Sequence, residues 1–310
     1  MPKQALDHSG RPGDPADPPQ PAGPISVRQL QTHQEFVECV DLQHAVWGAN
    51  FSERVPAALL KVAQRIGGVA AGAFDRDQRL VGFVFGLTGV ENGRLVHWSD
   101  MLAVRADMRD HGIGRHLKEF QRDLLRQIGV GRIYWTFDPL VARNAHLNLN
   151  RLGAHVVEYI PDMYGAETSS VLHRGLGTDR FVLAWDIDRA APTGRDEHGT
   201  HHPPALRASP ILNPLDPDGL PMLPDFDRQV KVPSVRIAIP LAIDSVQAQS
   251  LPAAARGRAS TRRASLWSRD KGYHVAGFYR DDDAQCGFYI CSLAPAPAAG
   301  PAPAPFHRDQ

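Results

Sequence analysis

The sequence has no surplus of either charge: 34 Lys and Arg balance 34 Asp and Glu over 310 residues. A chain that grips nucleic acid through its phosphates usually carries a basic excess, so no nucleic-acid partner is expected. Cysteine is scarce. Cys39, Cys286 and Cys291 form an odd, sparse set that argues against a disulfide framework. No apolar run approaches the roughly 18 residues of a transmembrane helix, and residues 1–24 lack the apolar stretch of a signal peptide. No membrane partner is expected, and a soluble, reducing, cytoplasmic setting is the default. Two phosphate-loop motifs are missing as well. There is no Gly-Lys-Ser/Thr, and Leu117 stands where a dinucleotide fingerprint starting at Gly112 needs its third glycine.

Proline and glycine, by contrast, are plentiful at 26 and 27 residues. Seven prolines fall in 1–24, nine in 190–234 and five in 294–310. This predicts a disordered tail over 1–24, a folded domain over 25–189, a Pro-rich linker over 190–234, an α+β extension over 235–293 and a second disordered tail over 294–310. About 60 residues is marginal for an independent core, so the extension should pack on the first domain. His198, His201 and His202 lie in the linker without cysteine or helical spacing. They read as solvated, and no metal is expected.

Within the first domain, a strand over 25–30 precedes a helix capped near Thr32 that runs to about Trp47. Cys39, Leu42 and Val46 share one face of it. A second helix begins at Pro56, with Leu59, Val62, Ala63 and Ile66 as its apolar face, and stops at Gly67-Gly68. Two apolar runs, 69–74 and 80–87, flank a polar turn as in a hairpin, and a third strand spans 95–104. Ile113, Leu117, Phe120, Leu124 and Ile128 mark a long amphipathic helix. A strand over 132–137, a short helix over 144–152 and strands over 155–159 and 181–187 complete the domain. The extension reads as strand 235–239, helix 244–266 and strands 273–279 and 287–291.

The chemistry concentrates where the third strand meets the long helix, in Arg109-Asp110-His111-Gly112-Ile113-Gly114-Arg115. A glycine-containing turn at a helix N-terminus offers free backbone N–H groups and the positive end of the helix dipole. Gly112 and Gly114 let a diphosphate approach the backbone. Arg109 and Arg115 can add charge-assisted contacts.

Arg109-x-x-Gly112-x-Gly114 between a central strand and a long helix resembles the signature of the GNAT acyltransferase superfamily. The order of elements over 25–189 is similar too. The resemblance implies an α/β fold with a mixed, splayed sheet flanked by helices on both faces. It implies acetyl-CoA or succinyl-CoA as co-substrate, with the pantetheine on Leu102, Ala103 and Val104. The diphosphate would lie on the turn (Arg109, His111, Gly112, Ile113, Gly114, Arg115), and an N–H near Met101 or Leu102 would face the thioester oxygen. Asn144 matches the family's asparagine in the short helix. Leu149 stands where the family usually has the tyrosine acid, and Tyr164 is a candidate substitute.

A base for the attacking amine is sought among Glu91, His97, Asp100 and Asp138. Strand alternation lets either His97 and Ser99 or Trp98 and Asp100 face the substrate, not both. The stretches Trp135–Leu140, Arg143-Asn144-Ala145 and 178–180 are similar to a bacterial subgroup found beside N-acylamino-acid racemases. That resemblance implies N-succinylation of a free amino acid, with Arg54, Arg143, Arg180 and Arg262 as partners for carboxylates. The expected partner is a small-molecule amine, and a homodimer is left open. Alternatives are a non-catalytic acyl-CoA-binding regulatory module and a protein-lysine or aminoglycoside N-acetyltransferase.

Overall fold

The computed structural model describes residues 24–165, 175–188, 204–223 and 232–293. Both tails and the three linker histidines lie outside these residues. A seven-stranded sheet carries the first block. Its strands are β1 (Ser26–Gln29), β2 (Val69–Phe74), β3 (Leu80–Glu91), β4 (Arg94–Val104), β5 (Arg132–Phe137), β6 (His155–Ile160) and β7 (Arg180–Asp186). Their order is β1-β2-β3-β4-β5-β7-β6, and only β4 and β5 run parallel.

Helices cover both faces. On one, α1 (His33–Trp47) and α2 (Ala57–Arg65) bury Phe36, Cys39, Leu42, Leu60 and Ala63 against Phe74, Phe83, Phe85 and Met101. The entry to α1 is fixed by a capping box, in which Thr32 accepts from the Glu35 N–H and Glu35 reaches back to Thr32. Arg28 holds the Glu35 carboxyl below its usual range through a paired hydrogen bond. On the other face, α3 (Ile113–Gln127) packs Ile113, Leu117 and Leu125 on Ala71 and Val84.

Two apolar faces differ from expectation. In α2 the buried residues are Leu60 and Ala63, while Leu59, Val62 and Ile66 are exposed. In α3, Phe120 and Leu124 are half-buried and Ile128 is exposed, because the stripe is rotated to bury Lys118 and Gln121 beside the three aliphatics. Core contact chose a stripe that includes polar residues, which hydrophobic spacing alone could not mark.

After β5, a one-turn helix α4 (Ala142–Ala145) runs into a π-helical stretch (His146–Arg151). The C-terminal block has an antiparallel sheet ordered β8-β10-β9, from β8 (Ser234–Pro240), β9 (His274–Asp281) and β10 (Cys286–Ser292). A short helix α5 (Pro204–Arg207) precedes it, and α6 (Ile243–Gln249) and α7 (Leu251–Asp270) connect β8 to β9. The helix expected over 244–266 is thus split at Ser250, which caps α7 by accepting from the Ala253 N–H.

Part of the expected linker is not solvated. Leu212 N–H donates to Arg236 O and Arg236 N–H to Pro210 O, both at 2.8 Å, which pairs the segment with β8. The fully buried Asn213 side chain bonds both backbone groups of Ala238. The two blocks share one apolar cluster that runs from Trp135 and Phe181 to Phe278 and Tyr289. Tyr289 Oη donates to Pro139 O at 2.7 Å, and Asn150 Nδ2 to Phe278 O at 2.9 Å.

Candidate active site

The site begins with a mismatch between β3 and β4. Phe85 faces Met101 and Leu87 faces Trp98, so Gly86 alone opposes both Ser99 and Asp100. This is a β-bulge in β4, and it bends the strand. Gly86 is needed there, since a Cβ would lie 2.3 Å from His97 Nε2 and 2.4 Å from Trp98 O. β4 pairs with β5 only over Val96–Trp98 against Arg132–Tyr134. Past Trp98 the two strands part, and β5 continues against β7 alone. Residues 99–104 of β4 therefore present an unpaired edge to a gap whose far wall is Trp135–Phe137.

That edge leads straight into the turn. A 3-10 turn (Ala106–Met108) and two left-handed residues, Asp110 at φ 65° and Gly112 at φ 74°, bring the chain to the start of α3. His111 Nδ1 bonds Arg109 O at 2.7 Å, and no side chain among the described residues caps α3. Its first N–H groups are left for another acceptor. A Cβ on Gly114 would meet only Leu102 at 3.8 Å, so the protein's own packing does not demand that glycine. The turn is left with open space on that side. Arg109 is half-buried beside the turn, and Arg115 pairs with Glu119. Leu102 and Val104 are half-buried and Ala103 is buried.

At the parting of the strands the alternation question is decided. His97 and Ser99 face α3, while Asp100 is accessible on the other side. His97 is fully buried between Thr88 and Gln121, and burial helped by the Lys118 charge pushes its imidazole down to about 3. It is a neutral packing residue and not a base in contact with substrate. Asp100 shares its side of the sheet with Glu53, from the α1–α2 loop, and with Tyr164 and Arg180. Desolvation raises the Asp100 carboxyl, opposed by a hydrogen bond from Trp98. Glu53 is raised by desolvation, opposed by Arg180 and reinforced by Asp100. Tyr164 Oη lies 3.1 Å from Thr136 Oγ1, and desolvation raises its hydroxyl. The Arg180 guanidinium sits 5.2 Å from the Tyr164 ring centre and donates to Asp179 O at 2.8 Å.

The other candidates are engaged elsewhere. Asp138 is 7 % exposed. It accepts from the Leu140 N–H at 2.8 Å and from Arg258 Nη2 at 2.5 Å, with Arg180 at 3.9 Å. It is a buried anchor for the turn after β5, not an open base at the mouth of the gap. Glu91 accepts from Tyr134 Oη at the far end of the sheet. Arg262 is tied to Asp162 and Asp179, and Asp179 also accepts from Tyr159. Arg143 is exposed beside Asp244, and Arg54 lies against His44 on the surface. Neither joins the Asp100 cluster. Asn144 is half-buried in the first turn of α4. Leu149 is buried in the core, so no hydroxyl stands at that position.

Sequence reasoning missed Glu53, Thr136, Lys118 and Arg258. Lys118 alone carried a signal, as a cation on the same helical face as Ile113, Leu117 and Leu125. Among the described residues no three metal-ligating side chains cluster, and no helix is long and apolar enough to cross a membrane.

No family model and no curated protein matches the sequence. Solved structures similar to it include yncA from Salmonella typhimurium with its cofactor acetyl-CoA, at 17 % identity and TM-score 0.44 over 56 % of this chain and 100 % of that one. The ribosomal-protein-S18-alanine N-acetyltransferase from Escherichia coli follows at 16 % identity and TM-score 0.41, over 55 % of this chain and 98 % of that one. An acetyltransferase of the GNAT family from Streptococcus pneumoniae gives 14 % identity and TM-score 0.42, over 52 % and 98 %. Likeness at this level concerns about half of the chain and says nothing of donor, acceptor or partner.

Proposed function

We propose that this chain is an acyl-CoA-dependent N-acyltransferase that moves an acetyl or succinyl group directly to a primary amine, with a free amino acid as acceptor. The observation that carries this is the continuous track from the unpaired edge of β4 to the uncapped turn at α3. Strand edges pair with amides, and pantetheine carries two of them. Helix N-termini hold phosphate. The two features in series suit a CoA thioester whose acyl end reaches the bulge at Ser99 and Asp100.

A backbone N–H near Met101 would stabilise the oxyanion as the amine attacks. Holding both substrates in the gap would supply much of the acceleration. Asp100 and Glu53, with raised carboxyls, are the groups best suited to receive the ammonium proton. Arg180 beside them suits an acceptor carboxylate, which favours an amino acid over a simple amine. No covalent cysteine intermediate is proposed, because burial pushes the Cys39 thiol up to about 12. The succinyl alternative rests on the subgroup resemblance.

Thiol release from acetyl-CoA and from succinyl-CoA, each against L- and D-amino acids, tests the proposal. Amine-dependent release is the expected outcome. One observation favours a second reading, that of a non-catalytic acyl-CoA-binding module: Leu149 supplies no acid at the family's tyrosine position. CoA-induced thermal stabilisation without thiol release from either donor would select that reading.

A further inference from the structure

We propose that Ser99 is the acid that protonates the departing CoA thiolate, with Lys118 supplying the proton through it. This rests on the acyl-transfer reading above and fills the role that Leu149 leaves vacant.

A directed run of hydrogen bonds crosses the interface between β4 and α3. Thr88 Oγ1 donates to Gly67 O at 2.6 Å, so it must accept from His97 Nδ1 at 3.0 Å. His97 Nε2 then carries no proton and accepts from Gln121 Nε2 at 3.0 Å. The Gln121 amide oxygen thereby faces Lys118 Nζ, at 3.5 Å. Lys118 Nζ donates onward to Ser99 Oγ at 2.7 Å. Every orientation is fixed from Gly67 onward, and the run ends on the hydrogen of the Ser99 hydroxyl. That hydrogen has no acceptor among the described residues. Ser99 lies in the bulge, where β4 leaves β5 and the acyl end of the donor would sit.

Lys118 is a costly residue for this location. It is 2 % exposed, forms no ion pair among the described residues and has the Trp135 ring 4.0 Å from Nζ. A methionine would fill the same volume without a charge to bury. The groups facing it are His97 and Ser99 from β4, Trp135 from β5 and Gln121 from α3. Arg122, on the next turn of α3, lies over the Trp185 ring. With His97 neutral, Lys118 is the member of this group that changes charge near neutral pH, because burial pushes its ammonium down to about 7. A proton held there passes readily to an alkyl thiolate, given that even a free cysteine thiol has a pKa of about 8.5.

As the C–S bond breaks, the sulfur takes the Ser99 hydroxyl hydrogen, and Ser99 Oγ takes a hydrogen from the Lys118 ammonium. The net change is one proton moved from Lys118 to CoA sulfur, with no charge left on Ser99. Lys118 regains a proton from solvent after product leaves.

The test is kcat against pH from 6 to 10 at saturating acetyl-CoA, or succinyl-CoA if that is the donor used, for the wild type, Ser99→Ala, Ser99→Thr and Lys118→Met. Melting temperature and CoA binding establish that each variant is folded. The wild type should lose rate as pH rises past Lys118 deprotonation. Ser99→Ala and Lys118→Met should lower kcat about 100-fold, with donor KM changed less than about threefold, and both should lack the falling limb. Ser99→Thr keeps the hydroxyl and should recover most of the rate. Folded Ser99→Ala and Lys118→Met enzymes with wild-type kcat, or with the falling limb intact, would overturn the assignment while leaving acyl transfer in place. Absence of turnover in the wild type would overturn both.

Discussion

Replacing Arg258 with methionine should destabilise the protein by an amount the structure allows to be bracketed. Arg258 and Asp138 form an ion pair with N–O 2.5 Å, and their side chains are 6 % and 7 % exposed. Breaking a buried pair by removing one partner costs about 3–5 kcal/mol, because the other charge is stranded. Two features push the expectation to the low end. Asp138 keeps the Leu140 N–H and has Arg180 at 3.9 Å, so it is not abandoned. Arg258 Nη1 has no hydrogen-bond partner among the described residues, so the arginine is imperfectly satisfied to begin with. The lost bond from Arg258 Nε to Leu176 O at 3.0 Å adds back about 1 kcal/mol. A net loss of about 4 kcal/mol corresponds to a drop of roughly 8–16 °C in Tm for a body of this size. The double variant Asp138→Asn/Arg258→Met retains the oxygen that accepts from Leu140 and removes the stranded charge. It should regain at least about half of the loss. Differential scanning calorimetry on the parent, both single variants and the double variant closes the cycle. An Arg258→Met protein that melts within about 2 °C of the parent, or a double variant no better than the single, would refute the account of a stranded charge.

Gly86→Ala should lower Tm by several degrees and abolish thiol release, because its Cβ would run into the His97 ring and Trp98 O and force the bulge open. The Cβ of Gly114→Asp would meet only Leu102 at 3.8 Å, so the Tm should stay near that of the wild type. Titration calorimetry should nevertheless show CoA affinity reduced by more than about tenfold, since a carboxylate would stand in the proposed phosphate site. Lys118→Met should melt above the wild type at pH 7. Burial lowers the folded-state ammonium from 10.5 to about 7, so between those values the unfolded chain binds more protons and wild-type stability rises with pH. The advantage of the variant should therefore be greatest at or below pH 7 and shrink toward pH 10.5. An advantage that does not vary with pH would contradict the proton linkage.

Much of the scaffold was legible because local signals agreed with the global fold. The Thr32 cap, the glycines at the turn and the run of strand, turn and helix around Arg109–Gly114 are short-range features, and each forms where its residues indicate. The bulge was not legible. It depends on which residue of β3 meets which residue of β4, and alternation in β4 alone left His97 and Asp100 equally eligible. The rotated stripe of α3 was missed for a related reason. Lys118 and Gln121 are buried by partners on β4, and a period count that rewards only apolar residues passes over them. The roles of Asp138 and Arg262 depend on contacts 120 and 83 residues away in sequence, beyond the reach of any local pattern.

Those long separations also bear on how the molecule is made. Asp138 and Asp179 leave the ribosome well before Arg258 and Arg262, and Pro139 O waits 150 residues for Tyr289. A nascent chain that ends at β7 holds two carboxylates set for burial without Arg258 and Arg262, with Arg180 beside Asp138 as the cation already made, next to an apolar surface that β9 and β10 have yet to cover. The wall of the gap formed by the end of β5 and the turn after it is therefore among the last parts to become rigid, once α7 has been synthesised and docked. Folding dominated by such distant pairings is slow, so the interval between synthesis of β7 and arrival of α7 is when this chain most needs protection from aggregation.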